Sequence, residues 1–241
     1  MRLTPTVILL LWLFAPGAFA VDCVTTSGKP VFTTCRADLR SETVRLYHAD
    51  ANGSNYESFA RLRASLARER RTLLFAMNAG MFHPDMKPVG LLVIDGHEVA
   101  PVNRGQSWGN FYLRPNGVFL IDAAGARVVS TDEYRSLAPE LATQSGPMLV
   151  HRGLIPDIPA FRAGSASRRL RNGVCAPKPD EVVFVISEGA VTFREMALFV
   201  RDTLGCNEAL YLDGAISSLF AKQLGRADAR AKLGPMFAIV E

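Results

Sequence analysis

An aspartate that directly follows an apolar run is the first candidate for chemistry in this sequence. Residues 209–212 (Ala-Leu-Tyr-Leu) predict a buried strand, which ends at the turn pair Asp213-Gly214. Hydroxyl groups follow at Ser217 and Ser218. A carboxylate at the end of a buried strand is held rigidly, at an edge where ligands often bind. Two interpretations stay open from this stretch: Asp213 acts on a ligand, or it only accepts hydrogen bonds from its own turn.

Four short motifs pair polar side chains with glycine and indicate one ligand-binding cleft. The motifs are Asn78-Ala79-Gly80, Gln144-Ser145-Gly146-Pro147, Arg171-Asn172-Gly173 and Asp213-Gly214. We expect each motif to follow an apolar strand, and glycine lets the backbone approach a ligand closely. The strand ends are therefore expected to converge on one cleft. The alternative is that all four motifs are only tight turns.

The polar members of these motifs suit a ligand that carries both a charge and hydroxyl groups. The planar guanidinium of Arg171 can hold phosphate or carboxylate through two parallel hydrogen bonds. The amides of Asn78 and Gln144 both donate and accept, which suits sugar hydroxyls. His83 could hold phosphate or carry a proton, or it could be a histidine of the cleft rim. Asp85 could supply a second carboxylate, or it could shape the turn in which it lies.

The motifs resemble those of the phosphodiester glycosidase family, and in particular a branch of exported bacterial proteins. The segments that carry the resemblance are Asn78-Ala79-Gly80-Met81-Phe82, Pro88-Val89-Gly90-Leu91, Gln144-Ser145-Gly146-Pro147-Met148-Leu149, Arg171-Asn172-Gly173-Val174 and Leu212-Asp213-Gly214 with Ser217. They occur in the order expected for the family. This chain has Ala79 and Ala215 where a second glycine is usual, and the added methyl groups are expected to narrow the cleft.

The resemblance implies a catalytic cleft built from Asn78, Arg171 and Asp213. It implies that three glycines shape this cleft: Gly80, Gly146 and Gly214. Further candidate substrate-binding residues are His83, Asp85, Gln144, Ser145, Asn172 and Ser217. We expect no metal and no cofactor. A divalent cation among Asp213, Asp85 and Asn78 stays an alternative, although no ligand spacing requires one.

The implied reaction can proceed with a single well-placed carboxyl group. Hydrolysis of an ordinary glycosidic bond uses two carboxyl groups, because a sugar alkoxide leaves poorly without protonation. A phosphate monoester leaves as a stable anion, since its second pKa is about 6. We therefore expect Arg171 to stabilise the phosphate charge. Asp213 either activates water or stabilises the developing positive charge on the sugar.

The expected function is that of an exported hydrolase that cleaves a sugar–phosphate linkage in envelope or exopolysaccharide material. The expected partner is therefore a sugar phosphate or a polysaccharide. The alternative is a carbohydrate-binding envelope protein that uses the same cleft without turnover.

The first 20 residues have the pattern of a secretory signal peptide. Arg2 precedes the apolar run 7–14, and Ala18-Phe19-Ala20 matches a cleavage site. The run is too short to span a bilayer, and no later segment is long and apolar enough. We expect residues 21–241 to form one domain that is periplasmic or secreted and has no transmembrane segment.

Four cysteines lie in the expected mature chain, at positions 23, 35, 175 and 206. None belongs to a C-x-x-C pair, which disfavours a zinc site. Export and an even number of cysteines favour two disulfides. Of the three possible connectivities we favour Cys23–Cys35 with Cys175–Cys206.

The charge distribution does not favour nucleic-acid binding. The formal net charge is only +4, and basic residues are dense only at 68–71 and 168–171. A nucleic-acid-binding surface would need a stripe of basic and aromatic residues, which the sequence lacks.

The order of apolar runs and turn signals predicts an α+β fold, with a mixed, mainly antiparallel sheet core, two longer helices and a single domain. Expected strands are 44–47, 72–78, 182–186, 209–212, 236–240 and a strand 142–150 broken at Gly146-Pro147. Expected hairpins pair 91–94 with 97–100 and 111–113 with 118–121. The longer helices are expected to begin at Ser54 and Thr192, and a short one at Thr131 or Asp132. Residues 151–169 are expected to form a long surface loop.

Overall fold

The computed structural model describes residues 21–135 and 138–241, so the predicted signal peptide lies outside the described residues. The described residues form sixteen strands. In chain order they are β1 (Asp22–Thr25), β2 (Phe32–Asp38), β3 (Val44–Tyr47), β4 (Leu73–Asn78), β5 (Leu92–Ile94), β6 (His97–Ala100), β7 (Gly117–Asp122), β8 (Gly125–Ser130), β9 (Leu141–Ser145), β10 (Met148–Val150), β11 (Asn172–Lys178), β12 (Glu181–Ser187), β13 (Ala209–Tyr211), β14 (Leu219–Ala221), β15 (Arg226–Ala227) and β16 (Met236–Val240).

These strands form three sheets. The six-stranded sheet has the order β1-β2-β12-β11-β13-β10, and the two five-stranded sheets have the orders β15-β14-β4-β16-β3 and β6-β5-β9-β7-β8. Every strand pair in the described residues is antiparallel. The predicted antiparallel character is therefore confirmed, whereas the predicted mixture with parallel strands is wrong.

Helices make a smaller contribution than the predicted α+β class implies. The described residues contain α1 (Phe59–Arg68) and α2 (Phe193–Leu198), and a π-helical segment (Phe199–Thr203) continues α2. Short 3-10 segments occupy Asn110–Tyr112, Pro159–Phe161, Gly214–Ile216 and Lys222–Leu224. The fold is therefore mainly β, because most apolar runs pair as strands.

The core lies where the three sheets meet. Phe184 of β12 packs on Phe75 of β4, with ring centroids 4.7 Å apart, and on Phe237 of β16 at 5.1 Å. Phe119 of β7 contacts the ring of Phe237 edge-on at 5.4 Å. All four rings are buried, so one aromatic cluster joins an inward-facing strand from each sheet.

The first helix begins later than predicted. Ser54 belongs to a turn, in which its N–H donates to Asp50 Oδ1 at 2.9 Å. Glu57 has φ 56°, which is incompatible with a right-handed helix. The helix therefore begins after Ser58, whose Oγ accepts from Arg61 N at 3.2 Å. The second helix follows the prediction: Thr192 and the third helical residue form a capping box.

The predicted hairpin between residues 111–113 and 118–121 is wrong. Phe111 lies in a 3-10 turn, and its carbonyl accepts from Asn116 Nδ2 at 2.8 Å, so this segment folds back on itself. Residues 118–121 belong instead to β7, which pairs with β8 and with β9. The predicted short helix after β8 is also wrong, because the backbone at residues 131–133 forms only a turn.

Most other predicted elements are confirmed. The predicted strands correspond to β3, β4, β12, β13 and β16, the predicted first hairpin is β5–β6, and the predicted broken strand is β9 with β10. Residues 151–169 form a loop anchored by Phe161, which is buried against Phe193 with centroids 5.3 Å apart. No helix among the described residues is both long and apolar enough to cross a bilayer.

Both favoured disulfides are present. Cys23–Cys35 joins β1 to β2, and Cys175–Cys206 joins β11 to the segment before β13. The second bond ties β11 to the segment that leads into β13 and the candidate site.

Candidate active site

Asp213 lies two residues after Tyr211, the last residue of β13, where the chain leaves the six-stranded sheet. Its Oδ1 accepts from Ala215 N at 3.2 Å, so the carboxylate caps the 3-10 segment Gly214–Ile216. The side chain is half-buried, and burial raises the pKa of Asp213 despite that hydrogen bond. In contrast, hydrogen bonds from lysine and arginine side chains lower the pKa values of Asp85 and Asp122. The capping role and a proton-accepting role are therefore compatible in one residue.

A buried amide network holds the backbone of the Asp213 turn. Asn78 Nδ2 donates to the carbonyl of Asp213 at 2.8 Å. Asn78 Oδ1 accepts from Asn172 Nδ2 at 3.0 Å and from Ser218 N at 2.9 Å. Ser217 Oγ donates to Asn172 Oδ1 at 3.0 Å. These four polar residues are 2 % exposed or less, so Asn78, Asn172 and Ser217 come together in the buried interior beside the backbone of the turn.

Arg171 is buried beside the same turn, and its guanidinium donates hydrogen bonds to other groups of the protein. Nε donates to Val191 O at 2.9 Å, Nη2 to Ser167 O at 2.8 Å and Nη1 to Tyr211 Oη at 3.3 Å. The guanidinium carbon lies 3.6 Å from the centre of the Phe193 ring. Arg171 is 1 % exposed, and burial lowers its pKa. The predicted two-bond contact with phosphate is not available in this arrangement.

Tyr211 is a site residue that the sequence reasoning missed. It is 2 % exposed, and its hydroxyl accepts the hydrogen bond from Arg171 while packing on Gly214. A Cβ at Gly214 would overlap the Tyr211 hydroxyl, which explains why this position needs glycine. The available signal was its position, because Tyr211 lies in the apolar run that ends at Asp213.

Two further predicted glycines also permit close packing. Gly80 N donates to Thr143 Oγ1 at 3.2 Å, and a Cβ at Gly80 would overlap that hydroxyl. A Cβ at Gly146 would overlap the carbonyl of Phe111. Ser145 is buried, and its Oγ finds no hydrogen-bond partner among the described residues. The two glycines therefore allow close packing between protein segments. The Ser145 hydroxyl, in contrast, makes no hydrogen bond within the described residues.

The side-chain amide of Gln144 is hydrogen-bonded within the protein and does not face a ligand. Its Oε1 accepts from Leu91 N at 3.0 Å and from Asn103 N at 2.8 Å. Its Nε2 donates to Asn103 O at 2.7 Å and to Thr131 Oγ1 at 3.2 Å. The loop held in this way carries Trp108, which is 96 % exposed. The predicted contact between Gln144 and sugar hydroxyls is therefore not supported by this geometry.

His83 and Asp85 lie on an exposed turn. Asp85 forms an ion pair with Lys87 Nζ at 2.9 Å, and the resulting hydrogen bond lowers the pKa of Asp85. A carboxyl group with a lowered pKa is a poor proton donor, so the geometry does not favour Asp85 as a second catalytic acid. Within the described part of the chain, no cluster of three or more histidine, cysteine, aspartate or glutamate side chains could hold a metal ion.

The motif that contains Arg171 begins a strand instead of ending one, since Asn172 is the first residue of β11.

The two alanines that replace the usual glycines differ in environment. Ala79 is fully buried in the core, so its methyl group does not narrow a cleft. Ala215 is exposed beside Asp213, and there the expectation that the added methyl group narrows the cleft stays a prediction.

A family model described as phosphodiester glycosidase matches residues 71–239, which include every candidate catalytic residue. The chain belongs to the phosphodiester glycosidase family. Within its curated relatives, the uncharacterized protein YigE of Escherichia coli (strain K12) is 32 % identical over 214 residues, which cover 88 % of this chain and 82 % of YigE.

Solved structures share the fold of this chain at low sequence identity. The catalytic domain of zebrafish N-acetylglucosamine-1-phosphodiester alpha-N-acetylglucosaminidase, auto-inhibited by its pro-peptide, superposes with a TM-score of 0.62 at 15 % identity and covers 91 % of this chain and 81 % of that one. A putative exported protein of Burkholderia pseudomallei K96243 has a TM-score of 0.57 at 14 % identity, with 87 % and 73 % covered.

Proposed function

We propose that the protein is an exported hydrolase that cleaves the bond between a sugar and the phosphate of a glycosyl phosphodiester. The proposed substrates are sugar phosphodiesters of envelope or exopolysaccharide material. Membership of the phosphodiester glycosidase family supports the reaction class. The zebrafish structural neighbour is named for action on N-acetylglucosamine 1-phosphodiesters, which makes such compounds the first substrates to test.

The observation that carries this proposal is the state of Asp213. Its carboxyl group is half-buried at the end of β13, burial raises its pKa, and buried amides fix its backbone. A carboxylate with a raised pKa is a better proton acceptor than an ordinary one. This favours activation of water over the alternative in which Asp213 only stabilises positive charge.

The proposed step needs one proton acceptor and a good leaving group. Water attacks the anomeric carbon while its proton passes to Asp213. The bond between the anomeric carbon and the phosphate oxygen breaks, and its electron pair leaves with the phosphate monoester. Because this monoester is a stable anion, the step does not require a second carboxylic acid such as Asp85.

The proposed location is the periplasm or the exterior of the cell. Both disulfides support an oxidising compartment, where such bonds persist. The exported structural neighbour from Burkholderia pseudomallei is consistent with the same compartment.

Turnover of defined substrates tests the proposal. Purified protein is incubated with N-acetylglucosamine 1-phosphate methyl diester, glucose 1-phosphate methyl diester and UDP-N-acetylglucosamine, and release of reducing sugar is measured. We expect at least one diester to be cleaved by the unchanged protein and not by Asp213→Asn. Asp95→Asn is the matched control, because Asp95 lies in the β5–β6 turn and makes only an exposed ion pair.

Calorimetric titration with the same compounds separates the alternative function. Saturable binding of a diester without release of sugar would favour the carbohydrate-binding protein over the hydrolase. Cleavage that is equal in the unchanged protein and in Asp213→Asn would remove Asp213 from the reaction.

A further inference from the structure

Trp108 is the most exposed of the large apolar side chains in the described residues. Its side chain is 96 % exposed, and the next, Leu154, is 69 % exposed. Tryptophan is highly buried on average, because its large ring gains much from contact with apolar groups. Both faces of the Trp108 ring are therefore open to solvent and free to stack on a ligand.

The loop that carries this ring, residues 103–109 (the Trp108 loop), is fixed at its start by side chains from other segments. Asn103 N donates to Gln144 Oε1 at 2.8 Å, and Asn103 Nδ2 donates to Val89 O at 2.8 Å. Arg114 Nη2 donates to two further carbonyls of the loop, at 3.0 and 3.1 Å. A loop that is fixed before a ligand arrives loses less conformational entropy on binding.

The end of the Trp108 loop leads to the junction between β9 and β10. The backbone just after the loop packs on Gly146, because a Cβ there would lie 2.7 Å from the carbonyl oxygen of Phe111. The next carbonyl, that of Pro147, accepts at 3.1 Å from the N–H of the last residue of β13. The chain after Trp108 and the strand that leads into Asp213 therefore both pack on this junction.

The free polar groups of the Trp108 loop are neutral. Residues 104–109 read Arg-Gly-Gln-Ser-Trp-Gly, and all six are exposed. Arg104 donates from both terminal nitrogens to backbone carbonyls of residues 131–134, so its charge is already engaged. The amide of Gln106 and the hydroxyl of Ser107 both donate and accept, which suits sugar hydroxyls. The composition therefore fits a neutral sugar better than an anion.

We propose that the Trp108 loop is a carbohydrate subsite, in which the Trp108 ring stacks on a neutral sugar of a polymeric substrate. This sugar lies outside the sugar–phosphate linkage that is cleaved, an assignment that rests on the proposed function. The apolar C–H face of a sugar packs on an aromatic ring, and a rigid ring with two side-chain torsions gives a large contact area at low entropic cost. The neighbouring amide and hydroxyl groups are available to the sugar hydroxyls.

A membrane surface is the other partner that an exposed tryptophan suits. Binding to lipid is strengthened by further apolar side chains and by cations that face anionic headgroups. Residues 104–109 carry no second large apolar side chain, and their one cation is bound to carbonyls. The loop therefore favours sugar over lipid.

Fluorescence of Trp108 tests the subsite without turnover. Residues 21–241, the expected exported form, contain no other tryptophan. This protein is titrated with chitotetraose, cellotetraose and maltotetraose, and separately with vesicles of phosphatidylethanolamine and phosphatidylglycerol. We expect at least one tetrasaccharide to shift the emission saturably to shorter wavelength, equally in Asp213→Asn, and the vesicles to leave it unchanged.

Calorimetric titration with the tetrasaccharide that binds then assigns the contact to the ring. We expect Trp108→Ala to raise Kd at least about tenfold, as for truncation of an aromatic anchor. Trp108→Tyr keeps an aromatic face and should stay within about threefold of the unchanged protein. Leu154→Ala is the matched control, because it also truncates an exposed apolar side chain on a loop, and its Kd should not change.

Three results would overturn the proposal: no emission change with any tetrasaccharide, an emission change with vesicles alone, or equal affinity in Trp108→Ala and the unchanged protein. Failure here is distinguishable from failure of the proposed function. Cleavage of a sugar phosphodiester without any response of Trp108 to tetrasaccharides would remove the subsite and leave the hydrolase. A response that is lost in Trp108→Ala, in a protein that cleaves none of the diesters, would support the subsite and remove the hydrolase.

Discussion

Asn78 Nδ2 donates a hydrogen bond to the backbone carbonyl of Asp213 at 2.8 Å, across 135 positions of the chain. This bond connects the end of β4 in one sheet to the turn after β13 in another. Asp213 is therefore positioned through its backbone by a fully buried side chain, while its own carboxyl group is half-buried. The candidate active site is therefore a turn at Asp213 whose backbone is held by a buried asparagine.

Asn78→Ala is expected to loosen this turn. The change leaves the Asp213 carbonyl, Asn172 Nδ2 and Ser218 N without one of their hydrogen-bond partners. We expect a loss of about 3 kcal/mol in the free energy of unfolding, since each unpaired buried group costs about 1–3 kcal/mol. Turnover per folded molecule should fall about tenfold. Urea unfolding and kcat are measured together with Asn52→Ala, an exposed control; a destabilised variant with unchanged kcat would show that the turn keeps its position without Asn78.

Gly214→Ala is expected to displace Tyr211. The added Cβ would overlap the Tyr211 hydroxyl and ring, so the ring or the turn must shift. Overpacking of this kind costs about 1–3 kcal/mol, and we expect kcat/KM to fall at least about tenfold. Gly189→Ala is the matched control, because a Cβ at Gly189 meets no atom within 4 Å. Equal activity in both alanine variants would contradict the close packing of Tyr211 on the turn.

Gln144→Leu is expected to release the loop that carries Trp108. Leucine has a similar size but cannot replace the four hydrogen bonds of the Gln144 amide. Trp108 is the single tryptophan in residues 21–241, so its fluorescence anisotropy reports on this loop without labelling. We expect lower anisotropy in Gln144→Leu and no change in Gln223→Leu. Unchanged anisotropy in both would show that other contacts suffice to hold the loop.

The sequence predicted the strands more successfully than the roles of the polar residues. β4, β12 and β16 are continuous apolar runs, and the β5–β6 hairpin has an Asp95-Gly96 turn, so local pattern sufficed for them. The start of α1 could not be predicted in this way, because Ser54 and Ser58 both offer capping hydroxyls. The choice between them depends on the Asp50 turn, which only the folded chain defines.

The composition of the candidate site was predicted in part, but not the direction in which its side chains act. Asn78 and Arg171 lie beside the Asp213 turn, yet their partners are distant in sequence: Asn78 bonds Asn172 across 94 positions, and Arg171 bonds Tyr211 across 40. Periodicity carries no information on such pairs. Gln144 illustrates the same limit, since its amide turns toward a loop 41 positions away.

The pH dependence of stability tests the environment of Asp213. Because burial raises the folded-state pKa above the ordinary value of 3.8, protonation of Asp213 favours the folded state. Its contribution to stability is fully present below pH 3.8 and is lost as pH rises through the folded-state pKa. We therefore expect Asp213→Asn to gain stability relative to the unchanged protein across this window, as measured by urea unfolding. A relative loss over the same range would mean that the folded state lowers the pKa of Asp213.

The most direct measurement is kcat and thermal stability of Asp213→Asn on one preparation, beside Asp95→Asn. Asparagine keeps an oxygen that can accept from Ala215 N, so the turn should be retained and the melting temperature should not fall. Removal of the proton acceptor should lower kcat at least about a hundredfold, the range typical of acid–base groups. A destabilised Asp213→Asn variant with undiminished turnover per folded molecule would contradict the assignment and leave Asp213 as a capping residue only.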